Sequence, residues 1–243
     1  MPGTISSAPE EYQLPLTEHL TELRLRLIRV LVAVGVATVV SLGLSRMLLA
    51  VLLRPVEATY FFAPGEAFAA HLRTALLIGL PLAWPVVLYQ IYAFASPGLY
   101  PAERRAVKLL LPVGSLLFVA GLAFGYVVMI PTVLLWLGRF ATTSITPTIS
   151  VSAYTSFVVG SIIPFGVAFQ LPLAVGVLSR LGVVTARGMA GARRWMLLGM
   201  LAAAAILTPP DVVSQLVMTM PMIVLYELSI LIARIAGRRA AAK

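Results

Sequence analysis

Acidic side chains are scarce in this chain, nine against eighteen Lys and Arg, so the place of each bears on its chemistry. Two stand among bases: Glu22 precedes Arg24, Arg26 and Arg29, and Glu103 is followed by Arg104, Arg105 and Lys108. Each could neutralise its neighbours as a solvated local pair. Each could instead accept a guanidinium from another molecule, because a carboxylate meets arginine in a planar two-bond fork that lysine cannot form. Glu227 and Gln170 lie in apolar runs. An ionised acid at a bilayer centre costs ~2.5–3.5 kcal/mol on insertion scales, whereas a neutral amide needs only hydrogen-bond partners. Glu227 therefore reads either as an interfacial acid in a structural pair, with Arg234 two turns on, or as a functional intramembrane group. Gln170 reads either as a helix-to-helix hydrogen bond or as part of a site.

Other chemistries lack their residues. The sequence has no G-x-x-x-x-G-K-[ST] to cradle a phosphate and no H-E-x-x-H. Its two histidines, His19 and His71, fall on opposite sides of the first apolar run, and Asp211 is the sole aspartate, so an intramembrane aspartyl protease lacks its pair. Without cysteine there is neither a disulfide framework nor a thiolate metal site. The expectation is a non-enzymatic protein with no catalytic residue, metal ligand or cofactor.

The elements that position these groups belong to a membrane protein. Sixty per cent of residues are hydrophobic, 11% are charged and the mean hydropathy is +0.99, more apolar surface than a soluble core of this length buries. Residues 1–15 read as a mobile tail, 16–234 as a single membrane domain and 235–243 as a basic cytoplasmic tail. Leu16, Leu20, Leu23 and Leu27 recur at helical spacing, which predicts an amphipathic helix along the membrane surface before the chain turns in. Spans are expected near 28–44, 74–95, 109–137, 154–178, 195–207 and 212–232. The fifth reaches only ~20 Å against a ~30 Å hydrocarbon core. Prolines 81, 85, 164, 172 and 221 predict kinks. Gly121 and Gly125 form a small-xxx-small pair, from chance or from close helix approach.

Between the second and third spans lies a polar hinge. Pro97, Gly98 and Pro101 end the helix before it, and the next helix starts afresh with Glu103 in its first turn, at the positive end of the dipole. Fourteen of the eighteen bases fall in the N-terminal segment, this hinge, the fourth-to-fifth loop and the tail. The net charge of +9 then records orientation rather than nucleic-acid binding, and both termini are expected in the cytoplasm.

His19-Leu20-x-Glu22-Leu23-Arg24-x-Arg26, Phe94-x-x-Pro97-x-Leu99-Tyr100-x-x-Glu103-Arg104-Arg105, Phe118-x-x-Gly121-x-x-Phe124-x-Tyr126 with Pro131, and Thr208-Pro209-Pro210-Asp211 with Ser214-Gln215 occur in this order. Together they resemble the TatC family, the receptor subunit of the twin-arginine protein translocase, over essentially residues 16–234. The resemblance implies an all-α fold of six helices in a curved, cup-like bundle in the cytoplasmic membrane, with short fifth and sixth helices. It implies binding of the twin-arginine signal peptides of folded precursors. Glu22 and Glu103 would hold the arginine pair, Arg24 would shape the site, Phe94 and Tyr100 would surround it, and Arg104 and Arg105 would compete for Glu103. It further implies a periplasmic turn at Pro209, Pro210, Asp211 and Gln215, assembly with TatA- and TatB-type single-span subunits and with further copies of the chain, no cofactor, and transport driven by the proton-motive force. Many members carry an acid where this chain has Gln170, so only a polar role transfers there.

Two other classes compete with a receptor. A secondary transporter needs midplane charges and often inverted repeats; the sequence offers one candidate acid and no clear repeat. A purely structural scaffold would find Glu22 and Glu103 dispensable.

Overall fold

The computed structural model describes residues 16–56, 59–140, 148–207 and 212–241. The 1–15 tail and the turn residues Pro209, Pro210 and Asp211 lie outside the described residues.

Helix α1, Leu16–Ser41, is uninterrupted. No separate surface helix turns into a first span, because residues 16–34 contain neither Pro nor Gly to break the hydrogen-bond ladder. Leu20, Leu23 and Leu27, expected as one apolar face, are all exposed on this protein. After a tight turn at Leu42–Leu44, α2 covers Ser45–Leu52. Helix α3, Glu66–Ala95, begins well before position 74 and runs through both Pro81 and Pro85. The hinge turn Ser96–Gly98 follows, and α4, Pro101–Phe124, starts as the prolines require.

The third span is not uniform. A π-helical turn, Gly125–Met129, separates α4 from α5, Ile130–Gly138. The fourth is also divided, into α6, Val151–Ala168, and α7, Leu171–Arg180, with Gln170 capping the second half and Pro172 in its first turn. Thr185 caps the short α8, Ala186–Gly191, by accepting the Gly188 N–H. Helix α9 is Arg193–Leu207 and α10 is Val212–Ala241. The sixth helix is thus not short: it has 30 residues, because Ala and Arg beyond Ile235 continue the ladder where the apolar stretch has ended. It also runs across the 234/235 boundary.

Among the described residues, five segments are long and apolar enough to cross a membrane: Glu18–Leu52, Glu66–Gly98, Val107–Gly138, Val151–Arg180 and Gln215–Ile235. Helix α9, at 15 residues, spans ~22 Å.

Glycines set the closest crossings. A Cβ on Gly79 of α3 would stand 2.7 Å from the Thr38 backbone of α1, and one on Gly121 of α4 would stand 2.5 Å from the Phe165 carbonyl of α6. Gly121 therefore belongs to a true close approach. Trp84 of α3 stacks on the buried Phe118 of α4 at 3.6 Å between centroids. A larger core joins Met129, Ile130, Val133, Ile162, Phe165 and Met218.

The helix ends sort into two faces. One is tied by a two-residue parallel pairing of β1, Thr59–Tyr60, with β2, Ile149–Ser150. Glu66 there accepts from Ser150 Oγ at 2.9 Å, Arg73 donates to Ser152 Oγ at 2.9 Å, and the Tyr126 and Tyr154 hydroxyls donate to the Val51 and Leu52 carbonyls. The opposite face gathers the start of α1, the hinge, the end of α7, α8, the start of α9 and the end of α10. Most of the described bases sit there, and Arg46, Arg54, Arg73 and Arg139 sit at the other face, so this end is the basic face of the molecule.

Candidate functional site

Near its start on the basic face, α1 lies against the last turns of α3. His19 stacks on Phe94 with centroids 4.4 Å apart and planes 26° from parallel. Two turns on along α1 and one turn back along α3, Arg26 donates to Gln90 Oε1 at 3.3 Å and forms an ion pair with Glu22. Both Arg26 donors meet the same oxygen, Glu22 Oε1. A carboxylate has about four lone-pair sites, so Oε2 remains available to a further guanidinium. Glu22 also lines a shallow depression with Glu18, Thr21 and Leu25. Glu22 is thus locally paired and still open toward the outside, so both readings of it describe part of its state.

The hinge continues this surface. Leu99 is buried and anchors it, Tyr100 is 76% exposed, and the Tyr100 carbonyl accepts from Arg104 N to begin α4. Arg104 does not face Glu22. Its side chain folds back over the hinge, donating to the Leu99 carbonyl at 3.1 Å and the Pro97 carbonyl at 3.5 Å, and so holds the turn's shape. Arg24 and Arg105 are exposed. Glu103 stands in the first turn of α4, and its side chain lies outside what the structure describes.

The remaining candidates lie elsewhere. Gln170 Nε2 donates to the Gly114 carbonyl of α4 at 3.1 Å, a helix-to-helix hydrogen bond, while its buried Oε1 finds no partner among the described residues. Glu227 pairs with Arg193 rather than Arg234. Gln215 donates to the Leu201 carbonyl at 2.9 Å and so joins α10 to α9. Sequence reasoning missed Gln90 and the contact role of Arg26. A polar residue one turn before Phe94, in the apolar stretch of α3 that follows Thr74, was the available signal for Gln90.

The pattern of the family described as Sec-independent protein translocase protein (TatC) matches residues 18–221. The chain belongs to the TatC family. A Sec-independent protein translocase protein TatC from Listeria innocua is 37% identical, covering 94% of this chain and 95% of its own. TatCy of Bacillus subtilis is 36% identical, over 94% and 92%. A crystal structure of the twin arginine translocase receptor TatC superposes with a TM-score of 0.81 at 33% identity, covering 90% of this chain and 99% of that one. TatC proteins form a family of protein translocase receptors and not of enzymes. This TatC-family chain is a multi-pass, all-α membrane protein.

Proposed function

We propose that this chain is the receptor subunit of a twin-arginine translocase in the cytoplasmic membrane. It binds the arginine pair of a folded precursor's signal peptide at the basic face through Glu22 and Glu103, with Phe94, Tyr100 and Arg24 around them. The observation that carries this reading is the seating of α1 on α3 by the His19–Phe94 stack. It brings Glu22 to the same face as the hinge that bears Glu103, with one carboxylate oxygen left to accept a guanidinium N–H and the full two-bond fork available once Arg26 is displaced.

A six-pass topology with both termini cytoplasmic is supported by the way α10 lies. The Ser179 hydroxyl at the end of α7 donates to the Ala233 carbonyl near the end of α10, so these ends share a face. Arg193 and Leu201 of α9 meet Glu227 and Gln215 of α10, an antiparallel hairpin. In this reading α9 carries the chain back from the basic face, and the bilayer thins around its ~22 Å. The membrane domain is residues 16–234. TatA- and TatB-type single-span subunits assemble along α9 and α10, with further copies of the chain in the complex, and the turn Pro209, Pro210 and Asp211 lies in the periplasm. The proton-motive force drives export.

The test is site-specific crosslinking from the hinge to a folded precursor with an Arg-Arg signal or its Lys-Lys counterpart. The Arg-Arg form is expected to dominate, and Glu22→Ala or Glu103→Ala to abolish its capture. Equal capture of both signals would sink the assignment.

A further inference from the structure

A groove of about 460 Å³ opens between α4, α7 and α10. Leu110 and Val113 of α4, Leu173 and Gly176 of α7, and Leu228 and Ile232 of α10 make its walls apolar. The charged group in its lining is Arg180, the last residue of α7. The other two walls carry a base at the same end: Lys108 precedes Leu110 by two residues, and Arg234 adjoins the lining residue Ile235. All three bases are exposed, and none forms an ion pair with another described residue.

We propose that this groove binds one phospholipid with an anionic headgroup, an acyl chain lying along the apolar walls and the phosphate held among Lys108, Arg180 and Arg234. Apart from Arg180 the lining is apolar, which suits an acyl chain. Charge favours an anion. Three exposed bases, one on each helix at the same end of the groove, attract an acidic headgroup and repel an arginine-bearing peptide. Long basic side chains at helix ends also reach the headgroup layer while their stems stay in the apolar zone. The site goes beyond the receptor reading and does not depend on it.

The test uses the full chain in detergent, titrated with phosphatidylglycerol or phosphatidylcholine, with bound lipid counted by native mass spectrometry. One phosphatidylglycerol is expected to be retained in preference to phosphatidylcholine. Arg180→Gln should weaken its retention about fivefold, and Lys108→Gln combined with Arg180→Gln about twenty-five-fold, at the usual contribution of a base near an anionic surface. Arg180→Lys should keep the preference and controls for folding. A photoreactive side chain at Val113 in vesicles of both lipids should label phosphatidylglycerol. Equal retention of the two lipids, or an unchanged Arg180→Gln, overturns the proposal. So does capture at Val113, in native membranes, of a signal peptide or single-span subunit instead of lipid.

Discussion

Arg193 at the first position of α9 and Glu227 of α10 meet in a two-bond fork, with both hydrogen bonds 2.8 Å long. The pair joins the helix too short for an ordinary bilayer to the long helix beside it. Gln215 and Leu201 make a second tie nearer the other face. Together they fix the register of α9 against α10 at two levels.

The two partners should not be equivalent. Both side chains are about half exposed, 50% and 47%, so the pair contributes at most ~1 kcal/mol as such. Losing Glu227 leaves an arginine at a helix start that can snorkel to the interface. Losing Arg193 leaves an acid inside the apolar window Gln215–Ile235, where the cost rises toward ~2.5–3.5 kcal/mol with depth. Thermal unfolding in vesicles is expected to show Arg193→Ala as the more harmful change, with the double Ala variant close to Glu227→Ala. Equal losses from the two single changes would refute the asymmetry.

This pairing also marks where sequence reading runs out. Arg234 is two turns from Glu227 along one helix, and local spacing favoured it; Arg193 comes from another helix, and only tertiary packing supplies it. The hinge was legible because Pro97, Gly98 and Pro101 act through local backbone sterics. The close approach at Gly121 was legible as a possibility, though which helix filled it was not. The continuity of α1 was obscured by its mixed composition, since charged residues up to Arg29 resemble a surface helix while nothing in the backbone forces a bend. At the site, Glu22 stood out by charge alone, whereas its tie to Gln90 depends on how α1 seats against α3.

Glycine substitutions should separate tight crossings from open helix surface. Ala at Gly121 or Gly79 brings a Cβ within 2.5 to 2.7 Å of backbone that cannot rotate away. Each should lose ~1–3 kcal/mol of stability, as overpacked sites do. Gly35→Ala meets nothing within 4 Å in α1 and should gain ~0.5–1 kcal/mol from helix propensity. Melting temperatures of the three variants in one detergent check the order; a Gly121→Ala protein as stable as the parent would show that the crossing yields freely.

Gln170→Leu should leave stability within about 1 kcal/mol of the parent. It gives up one hydrogen bond to the Gly114 carbonyl, worth ~1 kcal/mol, and also removes the buried Oε1 that has no partner among the described residues. A loss of export with an unchanged melting temperature would mark Gln170 as functional. Unchanged export of a folded reporter would leave it a helix-to-helix tie.

Glu22 and Arg26 permit a sharper test of recognition, because competition and binding predict opposite signs. Arg26 occupies one oxygen of Glu22, so an incoming guanidinium takes the other oxygen or displaces Arg26. A helical i,i+4 pair of this kind contributes ~0.3–0.5 kcal/mol, so Arg26→Gln should raise capture of an Arg-Arg signal peptide about twofold. Glu22→Gln keeps the shape and removes the charge; losing charge-assisted bonds worth ~1.5–3 kcal/mol should lower capture at least about tenfold. Neither change should move the melting temperature far, since Phe94 still stacks on His19. If Arg26→Gln lowered capture as much as Glu22→Gln did, Arg26 would be an organiser of the site and not a competitor for its acid.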